Sequence, residues 1–555
     1  MRMIIINRSK LLFICFFFLE MLVYLPFIQR GGFGPADELE ILDIISNMGY
    51  RFIDTLNYYI TTSMAARPLS IIFRNIEFII FKNNQLFYIL FQLSVWMFSM
   101  YIIATVLKSL IGPRSFWIFL LFSSFPIFCS SIIYAPYLAI EYGFPTLFSG
   151  LSLLAFHRYS LNRNIRTYIL GYTSSILAIL FSSIIFPLLI LAVLLPFLMD
   201  LNNIDKVRIN IFIKSLIKYL GPLLIIGIIF FIFKVFVTPF FKQGDVYAVS
   251  QINTVSVIKA IYYYYAISIE PVLLLFESIR FINFSFTIVV LCFLVYFFYY
   301  LLRSSYDNEK ISVQKNKREP YNRPFVFSVI ICFLVCSGIF FISHQPCATY
   351  GWYNRLLMPS FILLSIIISV IVNRLLDTRW LGLIMIISFL WVFSMKLQIN
   401  NFIQSWELRE KIFLDISEKM KVYNHNENIN IIACVPFFLK SNYNNEEVFF
   451  AKEFFSAGLR IYVNSTFEGN PFCWRSANDK NSYIKFPTLP DSNFIDYSNL
   501  WYYKFEEGDK FGSLRRINNK EQLAEVLQNV KEEMINYHPP IFRERIHLYF
   551  RSYFL

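Results

Sequence analysis

The sequence is short of charge. Asp, Glu, Lys and Arg make up 16% of its 555 residues, while 57% are hydrophobic. Soluble chains average about 25% charged residues, so an ordinary soluble enzyme of this size is excluded. Metal-site spacing is also missing. The eight cysteines form no CxxC pair and no Cys/His cluster, which argues against a zinc or iron–sulfur centre. No internal repeat is visible. The N-terminal stretch MRMIIINRSKLLFICFFFLEMLVYLPFIQR has a basic start and a long apolar run but no small-residue cleavage site, and so reads as an uncleaved signal-anchor.

What is present is a series of apolar windows of ~20 residues, each long enough to span a bilayer. They predict an α-helical polytopic membrane protein with about eleven spans, near 11–29, 86–107, 116–134, 140–156, 168–182, 183–199, 219–237, 281–302, 325–342, 356–373 and 380–397. The fifth and sixth form one apolar run broken at FSSIIFP. Basic residues orient the chain. With the N-terminus inside, the short inner segments hold Arg2, Arg8 and Lys10, then Arg158, Arg163 and Arg166, then Arg303, Lys310, Lys315, Lys317, Arg318 and Arg323, among others. The net charge of +13 is therefore largely topological, and no nucleic-acid partner is implied. An odd span count places residues 398–555 outside.

That C-terminal region changes character. WELREKIFLDISEKMKVY reads as an amphipathic helix leaving the membrane. INIIACVPFF and LRIYVNS read as strands flanking a helical NNEEVFFAKEFFSAG, with LWYYKFE a further strand and KEQLAEVLQNVKEEMI a further helix. This order predicts an α/β domain over 398–555 beside a transmembrane domain over 1–397. The region holds no glycine-rich phosphate loop and no nucleophile elbow. Cys434 and Cys473 pair if it is extracytoplasmic, or stand as two free thiols.

The first outer loop, 30–85, concentrates the chemistry. In GGFGPADELEILD, Gly34-Pro35 signals helix entry. On a helical period, Glu40, Asp43 and Asn47 form a polar stripe with an ordinary solvated explanation. Asp37 and Glu38 instead stack over Ile41, Leu42, Ile44 and Ile45 on the apolar side. Helix capping accounts for acids in a first turn. A carboxylate partly withdrawn from water is also poised as a general base, with Asp37 favoured over Glu38. Further along, Arg67 precedes Pro68 and should be extended, with Pro68 opening a helix. Arg67 suits either a phosphate or the C-terminal dipole of the preceding helix. Arg74 and Glu77, spaced i, i+3, pair most simply with each other.

These residues carry a resemblance. A first transmembrane helix, an outer loop with an acidic pair (Asp37-Glu38), two loop helices and then ARPL (Arg67-Pro68-Leu69) resemble the GT-C superfamily of integral-membrane glycosyltransferases. Within it, the chain looks most like the phage-type, serotype-converting O-antigen glucosyltransferases, where a GRPL-like motif follows the acids. Here the glycine is Ala66. The resemblance covers roughly residues 10–85 and the overall topology. It implies an inverting transferase of the bacterial inner membrane. Such an enzyme passes a sugar, glucose by analogy, from a polyprenyl-phosphate-sugar to a glycan such as the O-antigen of lipopolysaccharide, at the periplasmic face.

Other outer segments offer candidates for the remaining parts. SHQPCATYGWYNRLLMPS supplies His344 and Arg355 as donor-phosphate ligands and Tyr350, Trp352 and Tyr353 as sugar or acceptor contacts. Interfacial anchoring explains the same arginine and aromatics. Lys242, Lys259 and Tyr262 to Tyr265 lie in the second long outer loop, read as a horizontal helix; Lys242 is a further phosphate candidate or a surface anchor. Glu20 and Glu141 should face the bundle interior, without a catalytic role. No DxD-like motif occurs in the outer loops, so no metal or other cofactor is required, and none is excluded. Two alternatives stand: a lipid-linked O-antigen polymerase, and a polysaccharide-related transporter or flippase, which predicts mid-membrane charge pairs and broken helices.

Overall fold

The computed structural model describes residues 8–32, 37–61, 67–82, 84–134, 139–202, 209–232, 254–312, 322–342, 356–376, 379–421, 429–434, 452–462, 467–472, 500–505 and 510–526. The apolar windows become helices. They include α1 (Arg8–Arg30), α5 (Gln85–Leu110), α8 (Phe144–Asn162), α11 (Ile209–Ile232), α14 (Phe284–Ser312), α16 (Met358–Leu375) and α17 (Leu381–Met420). Among the described residues these are the seven helices long and apolar enough to cross a membrane, α8 together with a preceding π-helical turn. The chain is a helical, polytopic membrane protein.

Shorter apolar helices account for most of the remaining windows: α9 (Ile165–Phe181), α10 (Phe186–Asn202) and α15 (Asn322–Ile342). The expected break in FSSIIFP is present. Ser182 is extended and a 3-10 turn, Ser183–Ile185, separates α9 from α10. At 17 residues each, these two helices are about 25 Å long, a little under the hydrocarbon thickness.

The third expected span, 116–134, is not continuous. Helix α6 (Pro113–Ser123) stops, an irregular stretch follows, and a single turn, α7 (Ser131–Tyr134), resumes. Pro126 is the cause, because it lacks an N–H and pushes its predecessor out of the helical region. Residues 118–133 are all buried. Open backbone at such a depth is tolerated only when protein satisfies its carbonyls. Trp391 Nε1 donates to the carbonyls of Phe122 and Phe125, at 3.0 and 2.8 Å. Trp96 Nε1 donates to Ser123 O at 3.2 Å and Gln398 Nε2 to Ile127 O at 2.5 Å. Tyr24 and Gln92 cap Ser124 O and Ile132 O. Trp391→Phe keeps the stack on Phe361 but removes a donor shared by two buried carbonyls. It should cost about 1–3 kcal/mol, seen as a lower melting temperature in detergent; an unchanged melt would contradict this account of the break.

The 30–85 segment forms α2 (Asp37–Asn47), α3 (Phe52–Thr61) and α4 (Pro68–Phe81). The 238–280 segment, where described, folds into α12 (Thr254–Ser268) and α13 (Glu270–Ser278). Tyr262 and Tyr263 are buried, and the Tyr263 hydroxyl bonds Ser360 of α16 at 2.5 Å, so α12 packs into the bundle rather than resting wholly on its surface.

Helix α17 corrects another expectation. The last span and the amphipathic segment after it form one unbroken helix of 40 residues, about 60 Å long. Its C-terminal half supports a four-stranded sheet in the order β2-β1-β3-β4. Strand β1 (Ile429–Cys434) pairs in parallel with β2 (Phe467–Phe472) and β3 (Leu500–Lys504), while β4 (Ser513–Arg516) runs antiparallel to β3. The connection from β1 to β2 contains α18 (Lys452–Tyr462). Leu459 to Tyr462, read from sequence as strand, therefore belong to this helix, and the strand begins at Phe467. The LRIY segment is apolar at Leu459 and Ile461 alike, a local strand signal, but Phe455, Gly458 and Leu459 are buried at i, i+3 and i+4 while Ile461 is exposed, which is the helical period.

Candidate functional site

Local chemistry shapes the 30–85 segment as far as Arg67. Arg67 is non-helical, with φ −135° and ψ 67°, short of the extended conformation expected before a proline, and Pro68 occupies the first turn of α4, where its missing N–H costs nothing. Helix α3 is tied to α4 by polar pairs: Thr55 Oγ1 bonds Asn75, and Asn75 Nδ2 donates to Phe52 O at 2.9 Å. Ser70 Oγ donates to Phe181 O at 2.7 Å, capping the end of α9. Phe73 packs on Phe144 and Phe181, so α4, α8 and α9 meet around one aromatic cluster.

At that meeting point sits Glu141, in a buried π-helical turn, Ala139–Gly143, that leads into α8. Such turns insert one residue into the helical ladder and re-aim a side chain. Gly143 lets the turn press on α5, since a Cβ there would lie 2.8 Å from Val95. Arg67 Nη1 donates to Glu141 Oε2 at 2.7 Å, and Arg74 Nη2 donates to Oε1. Arg74 and Glu141 are sealed, with side-chain exposures of 1% and 5%; Arg67 remains 20% exposed. Glu77, one turn beyond Arg74 on α4, is buried as well.

Arg67 thus occupies the N-terminus of α4, where the helix dipole favours anions and disfavours a cation. Glu141 offsets that cost and orients the guanidinium. A partly exposed arginine at a helix N-terminus favours a phosphate or carboxylate ligand. The partnership with Glu141 was hidden from sequence because 74 residues separate the two. The available signal was a lone carboxylate within an apolar segment, which demands a partner.

Helix α2 begins at Asp37, and its Ile41, Leu42 and Ile45 are buried. The expected solvated stripe is corrected at Asp43. This residue is buried, and its Oδ2 accepts from Arg460 Nε of α18 at 2.7 Å, while Asn47 Nδ2 donates to Oδ1 at 3.2 Å. The helix carrying the acidic pair is therefore clamped by the α18–sheet unit. That unit is anchored in turn on α17. Asp415 accepts from the Tyr503 hydroxyl at 2.7 Å and from Gly512 N at 2.9 Å, and pairs with Lys419. Phe413 stacks on Tyr462, and Gly458 lies so close that a Cβ would meet the Phe413 ring at 2.0 Å. Burial, with Glu410 adding to it and Arg409 opposing, pushes the Tyr462 phenol up to about 12.

Asp43→Asn should loosen this clamp. The pair is buried on one side and 23% exposed on the other, so a loss of about 1–2 kcal/mol is expected. Amide exchange in α2 should accelerate about tenfold, and unaltered protection would show that the ion pair does not hold the helix.

Of the residues selected from sequence, the structure places Asp37 and Glu38 at the start of α2 and joins Arg67 to Glu141. His344, Arg355, Lys242, Tyr350, Trp352 and Tyr353 lie outside the described residues, as does Cys473 of the considered cysteine pair. Comparison with protein-family models, curated proteins and solved structures finds no match.

Proposed function

We propose that this protein is an inverting, polyprenyl-phosphate-sugar-dependent glycosyltransferase acting at the outer, periplasmic face of a bacterial inner membrane. The observation that supports this reading best is Arg67, held by Glu141 at the N-terminus of α4 and still partly exposed, on the loop whose first helix opens with Asp37 and Glu38. In the proposed step, Asp37 takes the proton of an acceptor hydroxyl. The hydroxyl oxygen attacks the anomeric carbon from the face opposite the phosphate. The bond from anomeric carbon to phosphate oxygen breaks, and polyprenyl phosphate leaves against Arg67, with Arg355, His344 and Lys242 as further candidate ligands. Glu38 is the alternative base. The donor sugar is glucose, and the acceptor an O-antigen or similar glycan, by resemblance alone. The α18–sheet unit, clamped on α2, belongs on this reading to an outer α/β domain spanning 398–555.

One observation favours a transporter: the buried break at Pro126, since discontinuous helices line many transport sites. Its carbonyls are largely capped by side chains of α1, α5 and α17, which makes it a satisfied packing element in this state. Product analysis separates the readings. With a polyprenyl-phosphate-sugar and an O-antigen acceptor in liposomes, the transferase yields an acceptor heavier by one sugar plus free polyprenyl phosphate. A ladder of added repeat units would identify a polymerase, and donor movement between leaflets without new glycosidic bonds would identify a flippase.

A further inference from the structure

Away from the outer loop, the turn from α8 to α9 and the first half of α11 gather cations around tyrosines. Arg163 ends α8 in the left-handed conformation, φ 55°. Its Nη1 donates to the Tyr219 hydroxyl at 3.2 Å, and Lys218 Nζ donates to the same oxygen at 2.9 Å. The two cations also lie over the Tyr159 ring, at 5.7 and 5.6 Å from its centroid. The cage is rigidly tied: the Tyr168 hydroxyl donates to Lys218 O at 2.8 Å and the Tyr172 hydroxyl to Tyr219 O at 2.6 Å. Arg166, in the first turn of α9, and Lys214, one turn before Lys218, are exposed beside them.

Both cations are exposed, and two adjacent positive charges attract an anion that bridges them. The surroundings indicate where the anion comes from. Leu161, Ile165, Ile169, Ile213 and Ile217 are exposed around the cations, an aliphatic border suited to acyl chains rather than to water. Arg163 directly follows the candidate span Ala139–Asn162, and Lys218 lies in the second turn of Ile213–Ile232, near where such helices meet lipid headgroups. Basic pockets between transmembrane helices recognise anionic headgroups in this way.

We propose that Arg163 and Lys218, set by Tyr159 and Tyr219, bind the phosphate of an anionic phospholipid whose chains lie along α9 and α11. The site is separate from the proposed transfer chemistry and does not depend on it.

The test uses the full chain in nanodiscs of zwitterionic phosphatidylcholine, titrated with phosphatidylglycerol and read by native mass spectrometry of retained lipid. Wild type should hold phosphatidylglycerol roughly thirtyfold more tightly than the Arg163→Gln/Lys218→Gln double variant, about fivefold per cation removed. Arg163→Lys/Lys218→Arg, which keeps both charges, should retain most of the affinity and so separates charge from folding. Equal retention by wild type and the Gln double variant would overturn the site. Soluble glycerol phosphate binding as tightly as phosphatidylglycerol would overturn the lipid assignment in favour of free phosphate.

Discussion

Asp37→Asn is expected to lower sugar transfer by about 10²–10⁴ while leaving the fold intact, the range that a positioned general base contributes. Asparagine keeps the size of the side chain and its place at the start of α2, whose dipole tolerates a neutral group, so the melting temperature should move little. KM for the donor should change less than kcat, because in the proposed step the carboxylate acts on the acceptor proton and not on the phosphate. Glu38→Gln discriminates the neighbours. It should leave most activity in place, and the reverse pattern would transfer the role to Glu38. Helical periodicity assigns both positions to the apolar side of the segment, which is why it does not choose between them.

The second large effect is on stability. Glu141→Leu leaves Arg74 buried beside Arg67 without the carboxylate that holds both, and should destabilise the protein by about 3–5 kcal/mol. Combining it with Arg74→Met should recover most of that loss, since an apolar replacement of a buried pair is often near neutral. The double variant would then test function apart from folding. Stable but inactive protein is expected, because Arg67 has lost the oxygen that aims it. A double variant no more stable than Glu141→Leu would mean that the cluster is not the source of the destabilisation, and full activity would mean that Glu141 does not position Arg67. Denaturant melts and transfer assays on the same preparations give both readouts.

How much of this was legible beforehand divides along physical lines. Local signals were reliable. Pro68 opened α4 and kept Arg67 out of the helix, the FSSIIFP break split α9 from α10, and β1 and β3 fell within the β-branched and aromatic runs expected of strands. Partnerships across the chain were not legible. Arg74 was matched with Glu77 by spacing, yet it bonds Glu141; Asp43 sat on a polar stripe by periodicity, yet Arg460 covers it. Both are tertiary ion pairs, which no local pattern encodes. The break at Pro126 was readable in principle, but hydropathy counts that segment as apolar and ignores the missing N–H. The continuity of α17 follows from the opposite case: its change from apolar to amphipathic marks where the helix leaves the bundle and does not interrupt its backbone hydrogen bonds.

The account is tested most directly by a single-turnover measurement in sealed proteoliposomes. They carry radiolabelled polyprenyl-phosphate-glucose in the bilayer and an O-antigen acceptor in the medium, with wild type and Asp37→Asn compared at matched melting temperatures. The prediction is label on the acceptor, polyprenyl phosphate released in equal amount, and neither with Asp37→Asn. Label that stays in the lipid with folded wild-type protein, or moves as fast in the variant, would contradict it.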